Sequence, residues 1–284
     1  MDLAARYLAR IGLPRAPAAD AAGLAAVVAA QRLAIPFENL DIPLGLGIRI
    51  DPASVAAKLL DDRRGGYCFE QNGLLLAALQ VFGFAARPLL GRVRLGLPDD
   101  VTPPRSHVLL LLDLAGEAWI ADAGFGGSFV PPLRLADGAS ATTPDGAEHR
   151  LLQQGQRGSA EGEWLLQRRG PAELTDGRGA GAGGWAAQYS FDLAEVAADD
   201  LEQANHWTAT RPGVRFTSTV VASRILPDGF ASLVDNVLSV ARVGQERQQQ
   251  VLETPDDLRR EQARHFGIGL DLADVACLHA FASR

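Results

Sequence analysis

The first third of the chain repeats apolar residues with a helical period. Leu3, Tyr7 and Ile11 recur at helical spacing, and a Gly–Leu–Pro segment at residues 12–14 ends the element. Asp20 is placed to cap a second helix. Two more helices are predicted over residues 52–60 and 68–83. The N-terminal part of the chain is therefore predicted to be helical.

The middle third changes to the two-residue period of β-strands. Short apolar and β-branched runs are separated by Gly, Pro and Asp. These runs cover residues 87–95, 107–114, 118–123, 148–154 and 163–168. Residues 113–117 are suited to a hairpin turn between the second and third runs. The pattern predicts a meandering antiparallel sheet or a small barrel.

The last third mixes both periods. A helix is predicted over residues 192–203, with strands over 216–225 and 233–240 and helices from Thr254 and over 272–281. In the last of these, Cys277 is expected to be a small buried apolar residue. The glycine-rich segment at 175–184 is predicted to be a flexible, exposed loop.

Composition narrows the class of protein without identifying its chemistry. The chain has 284 residues, 47% of them apolar, which is enough for a packed core, and a chain of this length suggests roughly two domains. The net charge of −7 argues against nucleic acid as the main partner, because phosphate binding needs a basic face. Apolar runs are strand-sized, so no membrane association is expected. The first residues lack the features of a signal peptide and the chain has only 2 cysteines, so we expect a cytoplasmic protein.

The sequence RGGYCFEQN at residues 64–72 carries the strongest chemical signal. Two glycines permit a sharp turn, and the apolar run that follows has helical character. Cys68 therefore falls at or near the first residue of a helix, where free N–H groups and the helix dipole favour a thiolate. A nucleophile and a buried structural thiol are both compatible with this placement.

A cysteine nucleophile needs an imidazole and a third group that orients it. His107 begins an apolar strand, and Asp122 ends the next one. If the two strands form a hairpin, His107 and Asp122 are adjacent. Each alone has an ordinary explanation, a strand-end histidine or a turn former, but their joint placement favours a Cys–His–Asp triad. No metal site is expected, because zinc-ligand spacing is absent around the other histidines, which are His149, His206, His265 and His279.

Four parts of the chain together resemble the arylamine N-acetyltransferases. The first, RGGYCFEQN, is the most specific. The others are IPFENL at residues 35–40, SHV at 106–108 with DAGFG at 122–126, and NHWT at 205–208 with FT at 216–217. The matches run from the first helix to about Gly229, and the C-terminal tail is less diagnostic.

This resemblance implies an α+β fold in three domains. They would be a helical bundle at 1–84 with the nucleophile, an antiparallel β-barrel at 85–190 with the other triad residues, and an α/β lid at 191–284. It also implies acetyl-CoA as the donor, an acetyl-Cys68 intermediate, His107 as base and acid, and Asp122 as the orienting group. The acceptor would be an aromatic amine, a hydrazine or an N-hydroxyarylamine, in ping-pong order. No metal or tightly bound cofactor is implied.

Further residues in the matched motifs are predicted to support the triad. Glu38 and Arg64 are expected to pair and to hold the loop before the nucleophile, with two solvated surface charges as the alternative. Asn72 lies one helical turn after the cysteine and could reach the Asp122 carboxylate. Tyr189, which matches a similar place in the family, could reach it too. Ordinary core or surface polarity is the alternative for both.

Substrate contacts are predicted from the same comparison. Glycines that would let the backbone approach the CoA pyrophosphate are Gly124, Gly126 and Gly127, although glycines more often serve turns. Thr217 matches a family position near the CoA chain. An aromatic amine needs flat apolar walls, and the candidates are Phe37, Phe69, Val93 and Phe125. The CoA phosphates need a basic group, and the candidates are Arg92, Arg94 and Arg105.

Three other functions remain open. A macrolactam-forming amide synthase of polyketide biosynthesis resembles the same family and keeps the triad, but it takes a carrier-bound acyl chain. A cysteine peptidase or transglutaminase-like hydrolase also pairs a helix-start cysteine with strand-borne His and Asp. A scaffold with an inert thiol is the alternative without activity, in which Cys68 would react with iodoacetamide no faster than Cys277.

Overall fold

The structure, a computed structural model, describes residues 2–98, 100–178 and 184–284. Its N-terminal part is helical. The helices are α1 (Leu3–Ile11), α2 (Ala21–Ala34), α3 (Pro52–Ala56), which continues into a π-helical turn (Ala57–Asp61), and α4 (Cys68–Val81). The first three begin at aspartates whose side chains accept a hydrogen bond from the first turn, Asp2, Asp20 and Asp51. No helix within the described ranges is both long and apolar enough to cross a membrane.

The middle of the chain forms an eight-stranded antiparallel sheet that curls into a nearly closed barrel. Its strands are β2 (Ala85–Val93), β3 (His107–Leu114), β4 (Glu117–Ala121), β5 (Leu133–Arg134), β6 (Ser140–Thr142), β7 (Glu148–Gln153), β8 (Trp164–Arg169) and β9 (Ala186–Phe191). They lie in the order β5-β4-β3-β2-β9-β8-β7-β6. Inward-facing residues such as Leu89, Leu109 and Leu166 form one apolar cluster. The other face of β3 packs through Leu110 and Leu112 with the N-terminal helices. The predicted α+β fold is confirmed.

A second antiparallel sheet carries the C-terminal part. Its strands, in order, are β1 (Phe37–Glu38), β10 (Val221–Leu226), β11 (Gly229–Val234), β12 (Val237–Arg242) and β13 (Gln248–Val251). The helices around it are α5 (Ala198–Thr210), α6 (Arg215–Ser218), α7 (Pro255–Glu261), which continues into a π-helical turn (Gln262–Phe266), and α8 (Leu272–Ala282). Because β1 comes from the first third of the chain and pairs with β10, this sheet crosses the predicted domain boundaries. The division into three domains stays a prediction.

The C-terminal sheet corrects two strand predictions. Residues 233–240 are the ends of β11 and β12 rather than one strand, because Asp235 has a φ of 54° and turns the chain. The Asp235 carboxylate fixes this turn by accepting the Val220 N–H at 3.0 Å. Residues 216–225 begin in the short helix α6, and the strand starts only at Val221.

A helix boundary and a cysteine environment are also corrected. The helix predicted at 192–203 begins later, at Ala198, because the Asp200 carboxylate accepts the N–H of the residue before Ala198 at 2.9 Å and caps the helix there. Cys277 is exposed rather than buried, because α8 turns Leu278 to the core instead.

The glycine-rich segment at 175–184, predicted to be an exposed loop, is packed at its start and exposed at Gly177 and Gly184. Residues 179–183 lie outside the described residues. The start of the segment is packed, since Thr175 is buried and the Asp176 N–H donates to the Gly127 carbonyl at 3.0 Å. This contact holds the start of the segment against the glycine motif that follows β4.

Candidate active site

Cys68 is the first residue of α4 and is 3% exposed. The preceding Tyr67 is extended, and its N–H donates to the Glu70 carboxylate at 3.0 Å, so the first turn caps its own helix. Gly66 is required here, because a Cβ at this position would lie 2.8 Å from Glu70 Oε2. The Cys68 thiol faces the Ser106 carbonyl at 3.7 Å. The N–H groups of the first turn have no intrahelical acceptor.

His107 and Asp122 meet at one end of the β3–β4 hairpin. Its pairing sets Leu110 opposite Ala121, which brings the first residue of β3 next to the residue that follows β4. His107 Nε2 lies 2.7 Å from Asp122 Oδ2. Both side chains are almost fully buried, so water screens the interaction little.

The His107 imidazole and the Cys68 thiol line the same cavity. Because Nε2 faces Asp122, the other ring nitrogen, Nδ1, is left for the sulfur. Burial lowers the pKa of His107, but the Asp122 carboxylate and the Cys68 thiolate raise it more, to about 10. Burial raises the pKa of Asp122, but the His107 imidazolium and hydrogen bonds bring it below its usual value. The site therefore favours an imidazolium beside the Asp122 carboxylate at neutral pH.

Asn72 holds the Asp122 carboxylate from the next turn of α4. Its Nδ2 donates to Asp122 Oδ1 at 2.9 Å and to the Val108 carbonyl at 2.7 Å. Its own Oδ1 accepts the Ala123 N–H at 2.9 Å. The Gly124 N–H donates to the same Asp122 oxygen at 2.8 Å. The helix that starts at the cysteine thus also fixes the carboxylate.

Tyr189 packs beside the triad through its ring. The ring centroid lies 5.0 Å from that of His107 and 5.2 Å from that of Phe125. Burial and the nearby Asp122 carboxylate raise the pKa of Tyr189. Its hydroxyl makes no hydrogen bond of normal geometry to any described residue. The Tyr189 ring therefore packs against the His107 imidazole.

Arg32 is a residue of this site that was not predicted from the sequence. It lies on the apolar helix α2 and is 1% exposed. Its guanidinium donates to the carbonyls of Ala123 at 3.2 Å, Phe125 at 2.9 Å and Ser128 at 3.4 Å. It therefore holds the loop that begins at Asp122. The available signal was one charged residue, next to Gln31, within a largely apolar helical segment.

Glu38 and Arg64 meet within a larger buried charge cluster. Arg64 Nε lies 3.1 Å from Glu38 Oε1, and Arg64 Nη2 lies 2.8 Å from Asp41 Oδ1. Lys58 Nζ lies 2.6 Å from Asp41 Oδ2 and 2.7 Å from Glu70 Oε1. Burial raises the pKa of Glu70 to about 7, although Lys58 opposes this. Because Glu70 caps α4, the cluster supports the helix start that carries Cys68.

A cavity of about 340 Å³ lies beside Cys68 and His107. Its walls are mostly apolar. Three of the predicted acceptor-binding residues line it, Phe37, Val93 and Phe125. Phe69 is not among the lining residues and instead packs on the Tyr67 ring, with the centroids 5.4 Å apart. The segment around α5 and α6 adds lining residues that were not predicted, Trp207, Val214 and Phe216.

The predicted CoA-binding glycines pack closely against the protein itself. At Gly124 a Cβ would lie 2.8 Å from the Cys68 Cα, and at Gly126 it would lie 2.8 Å from the Phe37 ring. Both glycines also line the cavity, whereas Gly127 does not. Close packing of the chain therefore already requires glycine at the first two positions.

The other predicted CoA contacts have partners within the protein. Thr217 donates its hydroxyl to the Arg211 carbonyl at 2.7 Å. The three candidate arginines are bonded elsewhere, Arg92 to the Pro103 carbonyl, Arg94 to the Val101 carbonyl and Arg105 to the Asp192 carboxylate. Two arginines that were not predicted, Arg178 and Arg215, line the cavity. Among the residues described, no group of three or more His, Cys, Asp or Glu is arranged to hold a metal ion.

Known proteins are similar to this chain over most of its length. A family model described as N-acetyltransferase matches residues 20–275. The chain is 38% identical over 267 residues to the arylamine N-acetyltransferase of Escherichia coli strain K12. That alignment covers 93% of this chain and 88% of the relative.

Solved structures extend the similarity to the whole fold. The arylamine N-acetyltransferase from Salmonella typhimurium matches with a TM-score of 0.87 at 34% identity, over 99% of this chain and 98% of the other. The arylamine N-acetyltransferase of Mycobacterium marinum in complex with CoA matches with a TM-score of 0.83 at 30% identity, over 98% of both chains. The alternative of an amide synthase receives no support from these comparisons.

Proposed function

The chain belongs to the arylamine N-acetyltransferase family, and we propose that it transfers the acetyl group of acetyl-CoA to an aromatic amine or hydrazine through acetyl-Cys68. One observation carries the proposal. The His107 imidazole lies 2.7 Å from the Asp122 carboxylate and lines one cavity together with the Cys68 thiol. Cysteine acyl transfer requires this order of nucleophile, base and orienting acid. A solved relative in complex with CoA supports the choice of donor.

In the first half-reaction the Cys68 thiolate attacks the thioester carbonyl carbon of acetyl-CoA. The Asp122 carboxylate keeps the pKa of His107 high, so the ring can hold the proton that it takes from the Cys68 thiol. The new C–S bond gives a tetrahedral oxyanion, and when this intermediate collapses the bond to the CoA sulfur breaks and the departing sulfur takes the His107 proton. The backbone N–H of Cys68, at the start of α4, is the donor available to the developing oxyanion.

In the second half-reaction the amine nitrogen attacks the acetyl carbon on Cys68. His107, now neutral, accepts a proton from the amine, and the bond to the Cys68 sulfur breaks. This half-reaction releases the amide, since CoA has already left in the first, and it restores the Cys68 thiolate and the His107 imidazolium. Asp122 keeps the ring in one orientation and stabilises its charge in both halves.

The shape of the cavity supports an aromatic acceptor. Its volume of about 340 Å³ is within the range of small-molecule sites. The rings of Phe37 and Phe125 provide flat apolar walls. Since one sulfur serves both half-reactions, the two substrates use the same cavity in turn, which gives ping-pong kinetics.

Mass spectrometry tests the proposal directly. Protein mixed with acetyl-CoA and no amine is expected to gain the mass of one acetyl group on Cys68, and an added arylamine is expected to remove it. Cys68→Ala should form no adduct. Cys277→Ser is the matched control, because this thiol is exposed and remote from the triad, and it should acetylate like the wild type. His107→Gln and Asp122→Asn should each lower kcat by about 1,000-fold or more.

Two results would contradict the proposal. Folded wild-type protein whose Cys68 stays unmodified with acetyl-CoA would exclude this donor. An adduct that water removes as fast as an arylamine does would instead indicate a hydrolase.

A further inference from the structure

Two guanidinium groups reach the cavity wall where the apolar lining ends. Arg178 follows the packed start of the glycine-rich segment, and Arg215 is the first residue of α6. Both line the same cavity as Cys68 and His107. Neither has a part in the proton transfers derived for the triad. Positive charge on the wall of a largely apolar cavity therefore needs another explanation.

The charge of Arg215 is poorly compensated by the protein. Its Nε and Nη2 atoms are buried, and neither has a hydrogen-bond partner among the described residues. The nearest carboxylate oxygen, on Asp176, lies 3.7 Å from Nη2, beyond hydrogen-bond distance. That carboxylate is already bound by Arg178, with an Nη2–Oδ2 distance of 2.6 Å. Burial and the neighbouring Arg178 lower the pKa of Arg215 to about 10.

A third arginine, Arg247, adds to the excess of positive charge beside this turn. Arg247 approaches the same turn, with Nη1 3.8 Å from the position of a Cβ built on Gly177. Its Nε is also buried and has no hydrogen-bond partner in the part of the chain that the structure describes. Two guanidinium groups thus flank the Asp176 carboxylate, and a third approaches the adjacent Gly177. A buried donor without an acceptor is costly, and an incoming anion would supply the acceptor.

We infer that Arg178 and Arg215 form a subsite for an oxyanion carried by a substrate. The inference rests on the proposed function, because it assigns a place in that cavity to part of a substrate. A guanidinium binds carboxylate and phosphate oxygens through paired N–H donors, and partial burial strengthens the bond. Two sources have this chemistry, the phosphates of the CoA donor and a carboxylate on the arylamine.

Kinetics of Arg215→Met separate the two sources. The donor arm compares acetyl-CoA with the phosphate-free thioester S-acetyl-N-acetylcysteamine. The acceptor arm compares 4-aminobenzoate with its neutral isostere 4-aminobenzamide. The matched control is Arg169→Met, which removes the same charge at an exposed pair with Glu148 on the barrel. Arg215→Lys keeps the positive charge but removes the paired N–H donors of the guanidinium.

The expected result is a selective loss for one anionic substrate. For Arg215→Met, the kcat/KM of that anionic substrate should fall at least about tenfold more than the kcat/KM of its neutral counterpart. The selective loss should be smaller for Arg215→Lys and absent for the control variant. A loss confined to acetyl-CoA assigns the subsite to phosphate, and a loss confined to 4-aminobenzoate assigns it to carboxylate. Equal changes for charged and neutral partners in both arms would overturn the inference.

The wild-type enzyme provides an independent measurement that does not depend on the folding of a variant. Added salt should raise the KM of the anionic substrate that uses the subsite more than the KM of its neutral counterpart. Salt effects that are equal for all four substrates would overturn the inference. A wild-type protein that acetylates neither acceptor from either donor would instead contradict the proposed function itself.

Discussion

Replacing Lys58 with methionine tests whether the buried charge cluster supports the start of α4. Lys58 Nζ lies 2.6 Å from Asp41, 2.7 Å from Glu70 and 4.0 Å from Glu38. Methionine retains most of the apolar stem and removes the charge. Arg64 would still pair with Glu38 and Asp41, but Glu70 would lose the cation that contacts it. The residue that caps the nucleophile helix would then be a buried carboxylate without a counter-ion.

The size of the effect follows from burial. Removing one partner of a buried ion pair costs about 3–5 kcal/mol of the free energy of unfolding. The Lys58 side chain is 15% exposed, so water screens the pair in part. We therefore expect a loss near the lower limit, about 3 kcal/mol. For a chain of this size, that corresponds to a fall in Tm of about 6–12 °C.

The loss should depend on pH through Glu70. Burial, together with the nearby Glu38, raises the pKa of Glu70 to about 7 even with Lys58 present. A carboxyl group whose pKa is higher in the folded state favours folding when it is neutral. Its contribution is complete below about pH 4.5 and is lost as the pH rises through about 7. Without Lys58 the ionised form becomes less favourable, so the deficit of the variant should be largest above pH 7.

Urea unfolding at about pH 7.5 and about pH 5.5 measures both effects. The control is Arg134→Met, which breaks the exposed pair between Arg134 and Glu117 at 3.0 Å and should cost no more than about 1 kcal/mol. Equal losses for the two variants near pH 7.5 would refute the role of the cluster. A Lys58→Met deficit that is the same at both pH values would refute the part assigned to Glu70.

Three further predictions concern the triad. Gly124→Ala should lower the rate of acetylation by about 100-fold, because the added Cβ would lie 2.8 Å from the Cys68 Cα and must displace it; stopped-flow acetylation measures this, and an unchanged rate would show that the loop adjusts. Arg32→Met should lower the free energy of unfolding in urea by about 2 kcal/mol, because the loop carbonyls after Asp122 lose their hydrogen-bond donor. The same variant should reduce kcat and change KM less. At about pH 6, well below the raised pKa of His107 beside Asp122, iodoacetamide should label Cys68 faster than the exposed second cysteine; Asp122→Asn should reduce this advantage, and equal labelling in the wild type would refute the ion pair.

The elements that carry the triad could be predicted because short-range signals define them. A glycine pair followed by an apolar helical run predicts a helix start, and α4 begins at Cys68. A hairpin turn was predicted at 113–117, and β3 and β4 pair around that turn, which brings His107 next to Asp122. Capping and turn chemistry depend on neighbouring residues, so one sequence is sufficient to find them.

Residues that act between elements could not be predicted in this way. Arg32 bonds to carbonyls that lie 91 to 96 positions further along the chain. Arg178 and Arg215 come together only because the segment after β8 packs beside α6. Periodicity indicates which face of an element is apolar, but it does not indicate which loop that element will contact. The arginines chosen from the sequence were nearer to the barrel strands along the chain, and these are bonded within the protein.

The glycines in the motif at 124–127 are predicted from the sequence to contact CoA, whereas in the structure close packing within the protein already requires Gly124 and Gly126. A glycine beside a ligand and a glycine beside a helix start both need the volume of a missing Cβ, so they look alike in the sequence. At Gly124 that volume is limited by the backbone of Cys68, and at Gly126 by the ring of Phe37. A substitution at Gly124 therefore changes the position of the nucleophile whether or not CoA touches the loop. Loss of activity in such a variant is evidence about the geometry of the triad, and CoA affinity has to be measured separately to assign the glycine to the donor.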